Sequence, residues 1–572
     1  MDFDLYTAPG VAKYRSFMDE ATDLVVRYGG SLSGEHGDGQ SRAEFLTKMF
    51  GPELVEAFRE FKSIWDPDWK MNPGKVVDPY RIDENLRLGA SYAPWEPATH
   101  FKYPEDGGSF AHAVLRCVGI GKCRRLDGKP DDDTMCPSFM VTREERDSTR
   151  GRAHHLWEML HGDVIQGGWR DEHVKESLDL CLSCKGCKGD CPVNVDMATY
   201  KSEFLSHYWE GRLRPRYAYA FGWINKWARL ASIAPGFANL FTQLPLLRKV
   251  AKFAVGSPQA RQIPAFAPQT FKAWFRKRGV RNQGRQRVLL FADTFNNYFK
   301  PETAQAAVEV LEAAGYQVIV PQEPLCCGRP LYDYGFLNMA QSYFDRIFQA
   351  LAPEIEQGTP MVVLEPSCCS VFRDELNGLR PDSRQAHKLM EQTFTLAEFL
   401  EKKAANYQPP KLKRKVVLHG HCHHKAIMRL DCDKELHKKM ELDVNELDSG
   451  CCGMAGSFGY EKEKYEVSMK AGERVLLPAV RKAGLSTIIM SDGFSCKEQI
   501  EQDTDRHALH TAEVLALAQR HGPHGLRSVY PEKELVEPRL RAQKRSMARA
   551  GIATGAVLAG AVAGTILWRR RK

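Results

Sequence analysis

The chain lacks what a secreted disulfide scaffold, a nucleic-acid-binding protein or a disordered polymer would need. Its first residues hold no basic-then-apolar segment of the secretory kind. Its 16 cysteines are few for a disulfide scaffold of 572 residues. They also cluster at two-residue gaps that secreted domains rarely use. Acidic residues are missing from Arg539 to Lys572, where nine Lys and Arg stand alone. With a total of +8, the rest of the chain sums to −1. A basic tail on a near-neutral body argues against a nucleic-acid partner and for a membrane-facing end. At 43% hydrophobic and 27% charged residues, neither wholesale disorder nor a fibrous class fits. What remains is a chain of three or four domains of roughly 150 residues each, with thiols held for metal in a reducing compartment.

Residues 1–90 read as helix, tight turn, helix, with periodic runs at Val11–Tyr28 and Pro52–Trp65 and a turn at Asn72-Pro73-Gly74-Lys75. Residues 91–110 read as a linker, 111–205 as a cysteine-rich helical domain and 206–285 as a basic, aromatic helical connector. Within the connector, helices are expected at Tyr217–Leu230 and Leu240–Phe253, either as core or as an interfacial pair. An internal repeat follows, 286–405 and 406–525. Each unit opens on an apolar strand, Val288–Phe291 or Val416–Leu418. Each reaches a Cys-Cys-Gly, then a second strand running into cysteine: Met361–Leu364 and Thr487–Met490. Helical runs at Pro301–Ala314 and Lys462–Lys482 between the strands predict a parallel α/β arrangement, whose strand carboxyl ends line a crevice. Residues 526–549 read as a basic linker. The uncharged run 550–568 reads as a transmembrane helix bracketed by Arg549 and Arg569.

The strongest chemical signal is Cys181-x2-Cys184-x2-Cys187-x3-Cys191-Pro192. Three thiolates at three-residue spacing wrap one iron–sulfur cube, and the fourth reaches a neighbouring cluster. A zinc knuckle would pair two CxxC or CxxH arms instead. Upstream, Cys117-x5-Cys123 and Cys136-Pro137 form an imperfect partner, with Ile120 where a middle ligand is expected. The crossed pattern assigns Cys136 to Cys181, Cys184 and Cys187, and leaves Cys117, Cys123 and Cys191 one thiolate short. In the second repeat, Cys422, Cys451, Cys452 and Cys496 make a metal centre or a redox thiol set. The first offers Cys326, Cys327, Cys368 and Cys369, with Asp293-Thr294 standing where the second has His421-Cys422. His419, His421, His423 and His424 crowd Cys422, and Cys432 fits no pattern. In Gly34-Glu35-His36-Gly37-Asp38-Gly39, Gly37 and Gly39 allow close approach to a planar ligand while Glu35 and His36 project from it.

The string SGEHGDGQSR with the NPGK turn resembles the extreme C-terminal piece of the FAD-linked oxidases. Residues 111–500 resemble the iron–sulfur and CCG portion of the fused FAD- and iron–sulfur-binding D-2-hydroxyacid dehydrogenases (D-lactate, glycolate and D-2-hydroxyglutarate), with kinship to heterodisulfide reductase. The resemblance implies that Glu35 is a metal ligand, His36 the base for the substrate hydroxyl, and Asn72 a neighbour of the flavin ring. That family's FAD-binding region and paired metal-binding histidines lie upstream of the GEHG string, and the sequence before Gly34 is too short for either. An upstream FAD-binding domain or subunit is therefore expected as a partner.

The combined expectation is an α+β multidomain chain. An all-α ferredoxin-like two-cluster domain precedes an α/β CCG-repeat domain and a single-helix anchor. The chain would carry [4Fe–4S] clusters, rely on FAD held mostly elsewhere, oxidise a small 2-hydroxy acid and pass electrons to quinone or another membrane acceptor. Its place would be the inner membrane, facing the cytoplasm. A thiol–disulfide reductase and a zinc-binding scaffold are the alternatives.

Overall fold

The computed structural model describes residues 3–86, 88–124, 135–524 and 530–570, the last stretch from 554 onward as helical backbone only. The chain divides into two compact units, 1–94 and 95–572.

The first unit is a helical pair. Ala8–Arg27 starts at Thr7, whose hydroxyl accepts from Gly10 N, and Leu46–Trp65 kinks at Gly51-Pro52. Arg15 ties the pair to the following turn, reaching Glu44 at 2.5 Å and Asp83 at 2.9 Å. One face of the second helix stays bare: Phe61, Ile64 and Trp65 are each more than 60% exposed.

The second unit opens on a stretch that reads as a linker in sequence and is instead packed core. Phe101, Tyr103 and Phe110 are buried. The buried Glu203 carboxylate accepts from His100 N and Phe101 N at 2.8 and 2.9 Å, which pins the segment. Its tyrosines and prolines are core contacts, and composition alone could not distinguish the two. Short helices then surround the cysteines. Two of them, Glu172–Asp179 and Met197–Tyr208, are capped by Asp171 and Asp196 and frame the cysteine loop between them. Each such cap contributes about 1 kcal/mol.

The repeat is present as two parallel sheets. The first holds β1 (Arg287–Phe291), β2 (Gln317–Ile319), β3 (Met361–Val363) and β4 (Thr393–Phe394) in the order β2-β1-β3-β4. The second holds β5 (Lys415–Leu418), β6 (Asp443–Glu446) and β7 (Ile488–Met490) in the order β6-β5-β7. All pairings are parallel, and the strands are largely buried on both faces as such sheets require, the edge strands β2 and β6 excepted. The run Lys462–Lys482 is broken into a 3-10 turn and the helices Tyr465–Glu473 and Leu476–Lys482.

The connector holds five helices rather than two: Arg216–Gly222, Ile224–Ala231, Pro235–Gln243, Pro245–Val255 and Phe271–Arg278. Pro235 and Pro245 each open a new helix, as a missing N–H and a fixed φ favour. Residues 533–570 are one helix, so most of the expected basic linker is helical. It packs on Pro235–Gln243, and Arg539 ties it to Glu302 and Glu501, each at 2.9 Å. The expected membrane span 550–568 lies, from residue 554, outside the described side chains. Among the described residues no helix is long and apolar enough to cross a membrane.

Candidate metal centres

The loop Cys181–Cys191 is held in an unusual shape. Ser183 and Lys185 are left-handed, at φ 51° and 61°. Non-glycine residues pay roughly 1–2 kcal/mol each for this. Lys185 offsets that cost. Its buried ammonium lies 2.9 Å from Asp196, 2.6 Å from Asp374 and 3.5 Å from Glu375. Burial alone would lower its pKa, but these carboxylates prevail and hold the ammonium firmly charged. The clamp also fastens the loop to repeat one. On the other side, helix Gly186–Asp190 approaches repeat two so closely that a Cβ on Gly189 would lie 2.9 Å from Ala426 Cα.

The crossed cysteine pattern is what the fold brings together. One small cavity is lined by Cys136, Cys181, Cys184 and Cys187, and a second by Cys117, Cys123 and Cys191. None of the 16 cysteines is joined in a disulfide. Burial pushes the thiols of Cys184 and Cys187 well up, and their sulfur neighbours push them further. Several buried thiols facing one small space are costly as bare thiolates and well suited to a cationic iron core. The donor set of the first cavity therefore fits a [4Fe–4S] cluster. That of the second has three sulfurs, with Ile120 lining it and well over half exposed. Arg152 is buried beside the first cavity, with Nη1 3.5 Å from Cys136 Sγ and Nε donating to Ser177 O at 2.8 Å. Such a donor to a ligand sulfur stabilises the more negative, reduced state.

The two repeats build homologous corners. In repeat two, side-chain hydrogen bonds link Cys422 to Cys451, Cys451 to Cys452 and Cys452 to Cys496. Bonds from Cys451, Cys496 and His419 hold the Cys452 thiol well below its ordinary value. In repeat one the same chain runs from Thr294 to Cys326 at 3.4 Å, on to Cys327, and from Cys327 to Cys368 at 2.8 Å. Cys368 and Cys496 are each the third residue of their helices, Pro366–Ser370 and Phe494–Asp503. Cys369 does not belong to the group. It sits one residue on, turned about 100° around the helix, with Glu398 and Arg373 as its electrostatic neighbours. Gly453 is needed at its turn: φ is 88°, and a Cβ would lie 2.0 Å from Ser468 O.

His421, Cys422 and His423 bring their ligand atoms within 4.8 Å of one another, as do His419, Cys452 and Cys496. Burial lowers His421 to about 3 and holds His423 well below the ordinary imidazole value, so both imidazoles are neutral. Glu365 joins the repeats by accepting from Ser367 Oγ and from Phe494 N, both at 2.8 Å. Burial, then the nearby Asp293, raises its pKa to about 7. Sequence reading missed Glu365, Lys185 and Arg152, because an ordinary charged residue carries no mark of burial.

In the first unit, Glu35 and His36 pair with each other at 2.7 Å and are 82% and 76% exposed. Gly37 and Gly39 are left-handed and face open space. Lys75 donates to Gln40 at 2.6 Å, which brings the Asn72–Lys75 turn beside this string. Among the described residues no further metal-binding side chain joins Glu35.

Residues 1–76 match the family described as FAD linked oxidases, C-terminal domain, residues 113–195 the 4Fe-4S dicluster domain, and residues 291–373 the cysteine-rich domain. D-2-hydroxyglutarate dehydrogenase of Pantoea ananatis is 24% identical over 88% of this chain and 52% of its own length. That of Pseudomonas putida is 27% identical over 89% and 53%. One component of the anaerobic glycerol-3-phosphate dehydrogenase of Escherichia coli is 28% identical over 50% of this chain and 74% of its own. The chain spans about half the length of the D-2-hydroxyglutarate dehydrogenases it matches. The matched domains support FAD and iron–sulfur clusters as the cofactors. The order of the matched domains, the crossed cysteine sets and these relatives make the chain similar to the FAD- and iron–sulfur-binding 2-hydroxyacid dehydrogenases.

Proposed function

We propose that the chain is the electron-transfer portion of a flavin-dependent D-2-hydroxyacid dehydrogenase. The observation that carries this reading is contiguity. Cys123 has Cys117 and Cys136 as electrostatic neighbours, Cys187 has Cys136 and Cys181, and Cys184 has Cys422. Leu182 and Cys184 share one buried cluster with Cys422, Cys451 and Cys452. Bound iron–sulfur clusters supply one-electron chemistry at these positions. The chain's own residues hold the thiols in series, exclude water, and place Arg152 where it favours negative charge.

The bare face at Phe61, Ile64 and Trp65 supports an upstream FAD-binding partner, since exposed apolar patches of this kind mark interaction surfaces. In the assembled enzyme, His36 would take the hydroxyl proton of the 2-hydroxy acid and Glu35 would hold a metal beside it. The tail 550–568 would anchor the chain to the inner membrane, with the domains on the cytoplasmic side and a membrane acceptor receiving the electrons. A second reading, thiol–disulfide reduction, has one observation in its favour: the depressed Cys452 thiol. Its buried position admits a disulfide substrate only through an internal cavity.

Iron, labile sulfide and flavin assays on anaerobically purified chain test the proposal. The expected result is at least one [4Fe–4S] cluster and no tightly bound FAD. Stoichiometric zinc without iron would overturn it, and disulfide reduction abolished by Cys451→Ser would favour the second reading.

A further inference from the structure

A cavity of about 480 Å3 opens where the two repeats meet, at the carboxyl ends of their strands. That volume is in the range of small-molecule sites. Its walls are largely aromatic and aliphatic, including Phe221, Phe295 and Phe494. Cys422 lines it directly, beside His421 and His423. Two buried polar atoms at the wall have no hydrogen-bond partner: His423 Nε2 and Ser257 Oγ. The charged groups in the wall are mostly spent within the protein. Arg329 pairs with Asp333 and Glu375, each at 3.1 Å, and Glu498 with Lys300 at 2.7 Å. The cavity therefore offers hydrogen bonds to a neutral polar group and little to an anion.

Its outer wall is the helical connector, through Trp227, Thr242 and Ala251. Trp227 is itself exposed, so the cavity reaches the surface there. The same helices leave Phe237, Phe241, Leu246, Val250 and Phe253 exposed, Leu246 to 80% and Phe253 to 70%. A soluble protein rarely shows so continuous an apolar face without a partner. The helix 533–570, which carries the uncharged run from Ala550, packs on Pro235–Gln243 in this layer. Two features suited to lipid thus share one side of the molecule.

We propose that this cavity binds a lipid-soluble quinone. Its ring carbonyls accept hydrogen bonds from His423 and Ser257 beside Cys422, and its apolar tail leaves past Trp227 along the exposed helices. The inference rests on the electron-transfer reading and gives it an acceptor site. Oxidation of a 2-hydroxy acid to a 2-oxo acid releases two electrons and two protons. A quinone takes up two electrons and two protons to become a quinol, so the exchange balances.

The test is photolabelling of the full chain with an azido derivative of decylubiquinone, followed by peptide mapping. Label is expected in peptides from 219–227 and 251–266, and excess decylubiquinone should compete it away. Label that is not competed, or that falls elsewhere, overturns the site. Ala251→Trp, which fills the cavity, should weaken decylubiquinone binding at least tenfold, and Ser257→Ala, which leaves it open, by a few-fold. Unchanged affinity in both would contradict the proposal. Labelling is read whatever the iron content, so a blank iron assay counts against the relay alone and misplaced label against the cavity alone.

Discussion

In repeat one, β1 runs into Asp293 and Thr294; in repeat two, β5 runs toward His421 and Cys422. The two corners share a Cys-Cys-Gly turn, a parallel sheet, and a cysteine third in the closing helix. A hydroxyl in place of one thiol, and the imidazoles gathered at the second corner, separate them. Repeat one has become a platform, giving Asp374 and Glu375 to the Lys185 clamp and Glu365 to the shared capping contact. Repeat two keeps four sulfurs, a depressed Cys452 and neutral imidazoles at a cavity. A duplicated fold can thus divide its work, one copy bracing the neighbouring cysteine loop and the other gathering four sulfurs and neutral imidazoles at a cavity.

The sharpest way to break this contrast is to remove a sulfur from each copy. Cys451→Ser should abolish the repeat-two centre and its iron, an effect on the scale of about 10 kcal/mol of metal binding. Cys327→Ser should leave iron unchanged by assay. Equal losses would erase the distinction. The converse change is Thr294→Cys, which adds the missing fourth thiol beside Cys326. It should add one bound equivalent of a thiophilic metal, measured by metal analysis, while Thr294→Ser adds none.

Lys185→Met tests repeat one as a platform. It leaves Asp196, Asp374 and Glu375 without their cation, and should cost about 3–5 kcal/mol in denaturant unfolding. A pH effect should belong to repeat two. His424 is buried, which lowers its pKa, yet Asp433 at 3.1 Å prevails and raises it to about 9. Its contribution is full below pH 6.5 and is lost as pH rises through 9. The loss is about 2–3 kcal/mol, and Asp433→Asn should flatten it in thermal unfolding across that window. The smallest effect concerns the neighbouring cluster. Arg152→Gln removes the donor to Cys136, which should lower that cluster's potential by ~60 mV, equivalent to ~1.4 kcal/mol for one electron. Redox titration monitored by EPR would measure it.

Much of this was legible in the sequence, because ligand spacing is a local property. Residues 181–191 specify a cluster loop, and the matched intervals from CCG to the closing cysteine specify a duplicated sheet. The crossed assignment of Cys136 and Cys191 also follows from a local rule and agrees with the cavities. Position within a shared crevice was not legible. Cys368 and Cys369 are adjacent in sequence, and only the helical turn between them decides which one faces Cys327. The segment 91–110 resembled a linker because its aromatic residues pack on distant partners such as Tyr200 and Tyr332. Lys185 and Glu365 look like surface charges until the fold buries them. The cavity has no sequence signature at all, since its walls come from helices and loops far apart along the chain.

The most direct measurement is EPR on anaerobically purified, iron-loaded chain after chemical reduction, with iron and sulfide counted on the same sample. The account predicts a reduced [4Fe–4S] signal broadened by a second nearby paramagnet, with the broadening lost in Cys451→Ser. A chain holding zinc in place of iron, or a cluster signal that Cys451→Ser leaves untouched, would contradict the series of centres on which the proposed function stands.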